Sequence, residues 1–169
     1  MLANIEARLA ELGIELPNAA APAGAYVPYV KSGNLVFVSG QITLWNGDIK
    51  YKGRLGDDMS VDEGYAAARL CGLNLIAQVR EACDGNLDRV SRVVRLGGFV
   101  QCTTNFIEQP KVINGASDLM VEVFGDAGRH ARAAVGTISL PLDVSVEVDG
   151  VFQIAPPRGH VSDDEIMLA

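Results

Sequence analysis

The segment from Ser60 to Cys83 constrains the fold of this chain more than any other part of its sequence. Ser60 followed three residues later by Glu63 forms a capping box, in which side chains and backbone pair reciprocally at the start of a helix. Apolar residues then recur at spacings of three and four, which predicts a helix over residues 60–83. The residues in the middle of this helix are small: Ala66, Ala67, Ala68 and Gly72. Because small side chains let a helix lie close on a sheet, the segment indicates a packing of helices against strands.

Segments rich in aromatic and β-branched residues flank this helix and predict strands. They begin with residues 26–38 and continue with residues 89–101, 131–140 and 144–154. In the last segment, Val144, Val146 and Val148 alternate with polar residues. One face of that strand is therefore expected to be buried.

Turn and helix-end residues separate these segments. Asn46–Gly47 accepts the positive φ angles of a type I′ turn and predicts a β-hairpin. Gly13 ends a short helix over residues 5–12, whereas Pro110 starts a second main helix that Gly125 ends. This order of elements predicts an α+β fold with both main helices on one face of a mixed sheet.

A length of 169 residues fits a single domain, so we assign residues 1–169 to one unit. We expect its core over residues 24–154 and an N-terminal helix and linker over residues 1–23. Residues 155–169 combine Pro, Gly and acidic residues, which is typical of a mobile tail.

Charge and cysteine content exclude several classes of function. The net charge is −7 without a basic run, so we do not expect nucleic acid as a partner. Cys71, Cys83 and Cys102 form no CxxC pair, so neither a disulfide framework nor a zinc site is expected, and a reducing cytoplasm fits best. No segment approaches the ~18 uncharged residues of a membrane span, so no membrane partner is expected.

Arg132 is the strongest candidate for a functional side chain. The sequence lacks phosphate-loop, dinucleotide, zincin and serine-hydrolase motifs, and the isolated His130 is assigned no role. Arg132 stands in an otherwise small and apolar strand, where a buried guanidinium needs an anionic partner. If residues 131–140 and 144–154 form a hairpin around Leu140–Pro141, Glu147 lies opposite Arg132 and the two form an ion pair. Alternatively, Arg132 binds a substrate carboxylate while Glu147 positions or deprotonates a water.

Three other signals are weak when taken singly. Ser39–Gly40 at the end of a strand either offers backbone groups to a ligand or is a simple bulge. Asn114 interrupts the second main helix and either faces solvent or caps a polar site. Tyr26 is interpreted as a half-exposed packing residue.

Four segments together resemble the Rid superfamily, also called YjgF-like or L-PSP endoribonuclease-like proteins. They are the strand LVFVSGQI, the helix start QPKVIN, the strand R-x-A-V-G-x-x-x-L-P and the closing VEV. The resemblance covers residues 26–154 and is greatest to a longer bacterial subgroup. It implies a chorismate-mutase-like α+β fold that assembles as a homotrimer with a central barrel. It also implies clefts shared by neighbouring subunits, and neither metal nor cofactor.

The resemblance further implies a cytoplasmic hydrolase that converts reactive 2-imino or enamine acids into 2-keto acids and ammonia. The substrates of such family members include 2-iminobutanoate and 2-iminopropanoate. The family's carboxylate-binding arginine falls on Arg132 and its acidic residue near the attacking water falls on Glu147. The remaining cleft positions fall on Tyr26, Ser39, Gly40, Asn114 and Ala134.

One position departs from the family's deaminases, which commonly carry Cys where this chain has Ala134. The departure leaves open a second interpretation, a non-catalytic trimer that binds or senses a small carboxylate. A third, the endoribonuclease of the family's older name, ranks last because a net charge of −7 opposes RNA binding.

Overall fold

The computed structural model describes residues 4–21 and 24–156. Its helices are α1 (Ile5–Glu11), α2 (Val61–Ala82) and α3 (Gln109–Phe124). Its strands are β1 (Tyr29–Ser32), β2 (Leu35–Ile42), β3 (Leu44–Trp45), β4 (Asp48–Ile49), β5 (Val90–Gln101), β6 (Ala131–Thr137) and β7 (Val146–Ile154). The part of the expected tail from residue 157 onward lies outside the described residues.

Five strands form one mixed sheet in the order β1-β2-β7-β5-β6. The β5–β6 pair is parallel and the other neighbours are antiparallel. The hairpin predicted at Asn46–Gly47 is confirmed, with φ angles of 49° and 97°. It joins β3 and β4 in a separate two-stranded ribbon that is shorter than the sequence suggested.

Helices α2 and α3 pack side by side on one face of this sheet, as predicted. The capping box is present: Ser60 accepts from the Glu63 backbone N–H while the Glu63 side chain accepts from the Ser60 N–H. A Cβ at Gly72 would come within 2.9 Å of the Leu119 side chain on α3. This small residue therefore permits close contact with the neighbouring helix rather than with the sheet.

The hairpin predicted between residues 131–140 and 144–154 is wrong. β5 lies between β6 and β7, parallel to the first and antiparallel to the second. Residues 138–145 therefore connect strands that are not neighbours, and β6 becomes an edge of the sheet.

Candidate functional site

Arg132 lies on the edge strand β6, beside the first half of α3. Its Nη1 donates to Asn114 Oδ1 at 2.8 Å and to Ser117 Oγ at 3.0 Å, and its Nη2 donates to the Pro110 carbonyl at 3.4 Å. All three acceptors are neutral. The residue is exposed, so the expectation of a buried guanidinium is wrong: an edge strand with an open side does not bury it. Asn114 is exposed as well, but its side chain holds Arg132 instead of facing only solvent.

The predicted cross-strand ion pair between Arg132 and Glu147 does not form. Among the described residues, no carboxylate forms an ion pair with Arg132. β5 lies between their strands, and the β7 residue level with Arg132 is Gly150, three residues after Glu147. Standard sheet spacing therefore puts the Cα atoms of Arg132 and Glu147 about 14 Å apart.

The two side chains also point to opposite faces of the sheet. Arg132 pairs with Leu96, which is fully buried under the helices. Glu147 pairs with Phe99, whose alternation along β5 directs it to the face away from the helices. A single chain therefore cannot bring Arg132 and Glu147 to the same small molecule.

Glu147 lies in a cleft of about 280 Å³ at the start of β7. Among the described residues that line this cleft, Glu147 carries the only charge. The structure brings Tyr26, Gly40 and Glu147 together here, three of the predicted site residues. The remaining lining residues are Ala20, Ala21, Pro28, Gln41, Ile42, Leu44, Asn74, Pro141 and Leu142. Partial burial, with a smaller contribution from Asp149, raises the pKa of Glu147 above its ordinary value.

Ser39 and Gly40 form a bulge in β2, as one of the two interpretations of this pair predicts. The register against β7 shifts between Val38 and Gln41. A Cβ at Gly40 would collide with the carboxylate of Glu147, so only glycine admits that side chain in its present position. The Ser39 hydroxyl donates to the Val27 carbonyl at 2.8 Å. The bulge therefore both makes room for Glu147 and holds the segment next to Tyr26.

Ala134 lies two residues after Arg132 and on the same side of β6. It is half-buried, packs against the core and pairs with Gly98 of β5. The predicted site residues thus divide into two separate sets. One set holds Arg132, Asn114 and Ala134 at the sheet edge, and the other holds Glu147, Gly40, Ser39 and Tyr26 at the cleft.

Sequence reasoning missed two residues that belong to the first set. Ser117 accepts from Arg132 and lies 3.0 Å from His130 Nε2, and His130 Nδ1 lies 2.6 Å from the Gly128 carbonyl oxygen. Burial is the main cause that lowers the pKa of His130. Their spacing was the available signal, because Ser117 follows Asn114 by three residues on α3 and His130 precedes Arg132 by two residues, immediately before β6.

The described residues contain neither a cluster of metal-ligating side chains nor a helix that could cross a membrane. No group of three or more His, Cys, Asp or Glu side chains in the described ranges is arranged to hold a metal ion. In the same part of the chain, no helix combines the length and the apolar character that crossing a bilayer requires.

Comparison with known proteins gives consistent matches. Residues 6–152 match the family described as "YjgF/chorismate mutase-like, putative endoribonuclease". Protein TCP17 of Trypanosoma cruzi is 49% identical over 151 residues, covering 89% of this chain and 94% of that protein. The protein Atu1372 of Agrobacterium tumefaciens, whose crystal structure is described as that of a protein with unknown function, is 48% identical with a TM-score of 0.83. The match covers 90% of this chain and 94% of Atu1372. A crystal structure from Shewanella oneidensis, described as "a putative endoribonuclease", is 42% identical with a TM-score of 0.86. The match covers 90% of this chain and 100% of that one.

Proposed function

This chain belongs to the YjgF/chorismate mutase-like family, and on that premise we propose that it hydrolyses reactive 2-imino acids to 2-keto acids and ammonia. The observation that carries the proposal is an exposed arginine held only by neutral acceptors, in a fold whose acidic cleft lies on another surface. The substrates we propose are small carboxylates such as 2-iminobutanoate and 2-iminopropanoate. Catalysis uses side chains and water alone.

Arg132 binds the substrate carboxylate in this proposal. A guanidinium has five N–H donors, and three of those of Arg132 are taken by Asn114, Ser117 and the Pro110 carbonyl. Among the described residues, the Nε–H and one Nη2–H are left for a ligand. Two parallel N–H donors match the two oxygens of a carboxylate, which fixes the orientation of the C=N bond beside it.

Glu147 acts as the general base. Its raised pKa makes it a better proton acceptor than an ordinary carboxylate. Glu147 removes a proton from water, the oxygen forms a bond to the imine carbon, and the C=N π-electrons go to nitrogen, which takes the proton back from Glu147. In the resulting carbinolamine the hydroxyl proton is transferred to the nitrogen through Glu147. The C–N bond then breaks with its electron pair going to nitrogen as the C=O bond forms, which releases ammonia and the 2-keto acid.

The separation of the two residues supports sites that are shared between the subunits of a homotrimer. Because Arg132 and Glu147 point to opposite faces within one chain, we propose that Arg132 of one subunit faces Glu147 of the next. The sheet face away from the helices exposes two pairs of apolar side chains, Val30 with Phe37 on β1 and β2 and Phe99 with Val135 on β5 and β6. The Arg95–Asp149 ion pair lies on the same face. Exposed apolar pairs support a face that is covered by copies of the same chain.

An assay of imine hydrolysis tests the proposal. An amino-acid oxidase generates the 2-imino acid, and semicarbazide competes for it by forming a semicarbazone. The wild-type protein is expected to lower semicarbazone yield and speed 2-keto acid release, whereas Arg132→Ala abolishes both effects. Arg129→Ala is the matched control, since Arg129 is an exposed neighbour paired with Asp126. Equal rates for wild type, Arg132→Ala and buffer would refute the enzymatic function.

A second function is favoured by Ala134. A half-buried alanine supplies no thiol where the family's deaminases commonly carry Cys, which fits a trimer that binds a small carboxylate without turnover. A rise in melting temperature with 2-oxobutanoate that requires Arg132, without any imine hydrolysis, would favour this function. For either function we propose a cytoplasmic location, where the free thiols Cys71, Cys83 and Cys102 stay reduced.

A further inference from the structure

We propose that Ser117 and His130 form a hydrogen-bonded relay that positions the Arg132 guanidinium for its carboxylate. The role rests on the proposed function, because it assigns Arg132 a ligand. It adds two positioning residues that the sequence did not indicate. Neither residue needs to touch the substrate.

Hydrogen-bond geometry fixes the direction of the relay. His130 Nδ1 lies 2.6 Å from the Gly128 carbonyl oxygen, which can only accept, so Nδ1 carries a proton. In a neutral imidazole Nε2 is then an acceptor, and the Ser117 hydroxyl 3.0 Å away donates to it. A lone pair of the same hydroxyl accepts from Arg132 Nη1 at 3.0 Å. The order is therefore Arg132 to Ser117 to His130.

The relay fixes the orientation of the guanidinium plane and leaves its charge unchanged. Asn114 and Ser117 engage both hydrogens of Nη1, whereas the third contact, to the Pro110 carbonyl, is long at 3.4 Å. Two short bonds on one nitrogen fix the rotation of an exposed arginine. Without Ser117, Asn114 alone holds that nitrogen. The guanidinium plane can then rotate, and its two free N–H groups no longer point in a fixed direction toward the ligand.

Proton uptake by His130 breaks this order. A protonated imidazole donates from both nitrogens, so Nε2 no longer accepts from Ser117. The positive charge of Arg132 disfavours a second positive charge on His130. The two hydrogen-bond partners of His130, Ser117 on α3 and the Gly128 carbonyl before β6, are neutral. Partial burial also disfavours the charged imidazole and lowers the pKa of His130. The relay is therefore intact at neutral pH, whereas in acid the Ser117 hydroxyl oxygen faces two cations and its hydrogen bond to Arg132 weakens.

Steady-state kinetics test the positioning role. Ser117→Ala is expected to raise KM for the 2-imino acid about tenfold while kcat changes less than about twofold. Ser117→Thr keeps the hydroxyl and restores KM. His130→Gln keeps an acceptor that does not titrate, so KM stays near wild type at neutral pH and no longer rises in acid. Ser91→Ala is the control, because the Ser91 hydroxyl donates to the Gln153 carbonyl at 3.1 Å, away from Arg132 along the sheet.

A second measurement does not depend on turnover. Nitrogen-15 NMR of full-length protein carrying His160→Gln, which leaves one imidazole, should report the Nδ1–H tautomer of His130. Calorimetry with 2-oxobutanoate should give a Kd that weakens about tenfold in Ser117→Ala. If 2-oxobutanoate binds in this way but imines are not hydrolysed, the relay stands and the proposed function fails. An Nε2–H tautomer, or an unchanged Kd and KM in Ser117→Ala, overturns the relay.

Discussion

Arg132 and Glu147 carry opposite charges, yet neither neutralises the other within a chain. Arg132 keeps its full charge because it bonds to an amide oxygen, a hydroxyl and a carbonyl. Glu147 sits where burial and the like charge of Asp149 act against its ionised form. Within the part of the chain that the structure describes, neither residue therefore forms an ion pair, which is the state that a site for a charged substrate and a water molecule requires.

Ionisation of Glu147 should raise activity and lower stability over the same pH range. Its pKa lies above the ordinary 4.5, so the folded protein binds the proton more tightly than the unfolded chain does. The stability gained from this group is complete below pH 4.5 and is lost as pH rises through the folded-state pKa. kcat/KM should rise across that range, because the base is then ionised.

Profiles of kcat/KM and of unfolding free energy against pH check this prediction. Glu147→Gln should lower kcat sharply, and the free energy of unfolding should no longer fall as pH rises through this range. Asp149→Asn removes the like charge and should move both midpoints to lower pH. Midpoints at or below the ordinary 4.5 in the wild type would contradict the assigned role of Glu147.

At the scale of secondary structure, the β2 bulge and the Glu147 side chain depend on each other. Gly40→Ala introduces a Cβ into the space that the Glu147 carboxylate occupies, so this side chain must rotate away and the fold should be destabilised by about 1 kcal/mol. The same change in a Glu147→Ala background should cost almost nothing, because the obstructing atoms are gone. Urea unfolding of the four proteins in this cycle measures the coupling. Equal costs in both backgrounds would mean that Glu147 lies elsewhere.

Elements were predictable where their signals are local. The capping box at Ser60, the Asn46–Gly47 turn and the Pro110 start each act within a few residues, and each is confirmed. Strand order was not predicted, because a short connection between the last two strands favoured a hairpin. The succession of β5, α3 and β6 indicates the correct pairing, because two strands joined by a helix usually lie parallel in the same sheet.

The candidate site was predictable only in part for a similar reason. The charge of Arg132 in a small, apolar strand singled out that residue and its expected partner Glu147, and the resemblance to a family then assigned a role to each. Ser117 and His130 are ordinary residue types on separate elements. Their meeting depends on the way α3 packs beside β6, which no local pattern specifies.

At the scale of the whole molecule, the chain presents two incomplete sites on different surfaces. The edge strand β6 offers Arg132, and the cleft at the start of β7 offers Glu147. The sheet face away from the helices also exposes the apolar side chains of Val30, Phe37, Phe99 and Val135. A ring of three copies, each meeting the next through the same pair of surfaces, would cover this face and complete three sites at once.

Mixed trimers of two inactive variants test this arrangement. Arg132→Ala and Glu147→Gln chains are co-expressed with different tags and purified through both, so that every trimer contains both variants. In any such ring one of the three boundaries joins an intact Arg132 to an intact Glu147, so activity should return to about one third of wild type. Each variant carrying both tags alone serves as the control and should stay inactive. Light scattering should give three times the 17.9 kDa chain mass. Inactive mixed trimers would mean that the two residues do not meet across a subunit boundary, and a monomer mass would refute the trimer itself.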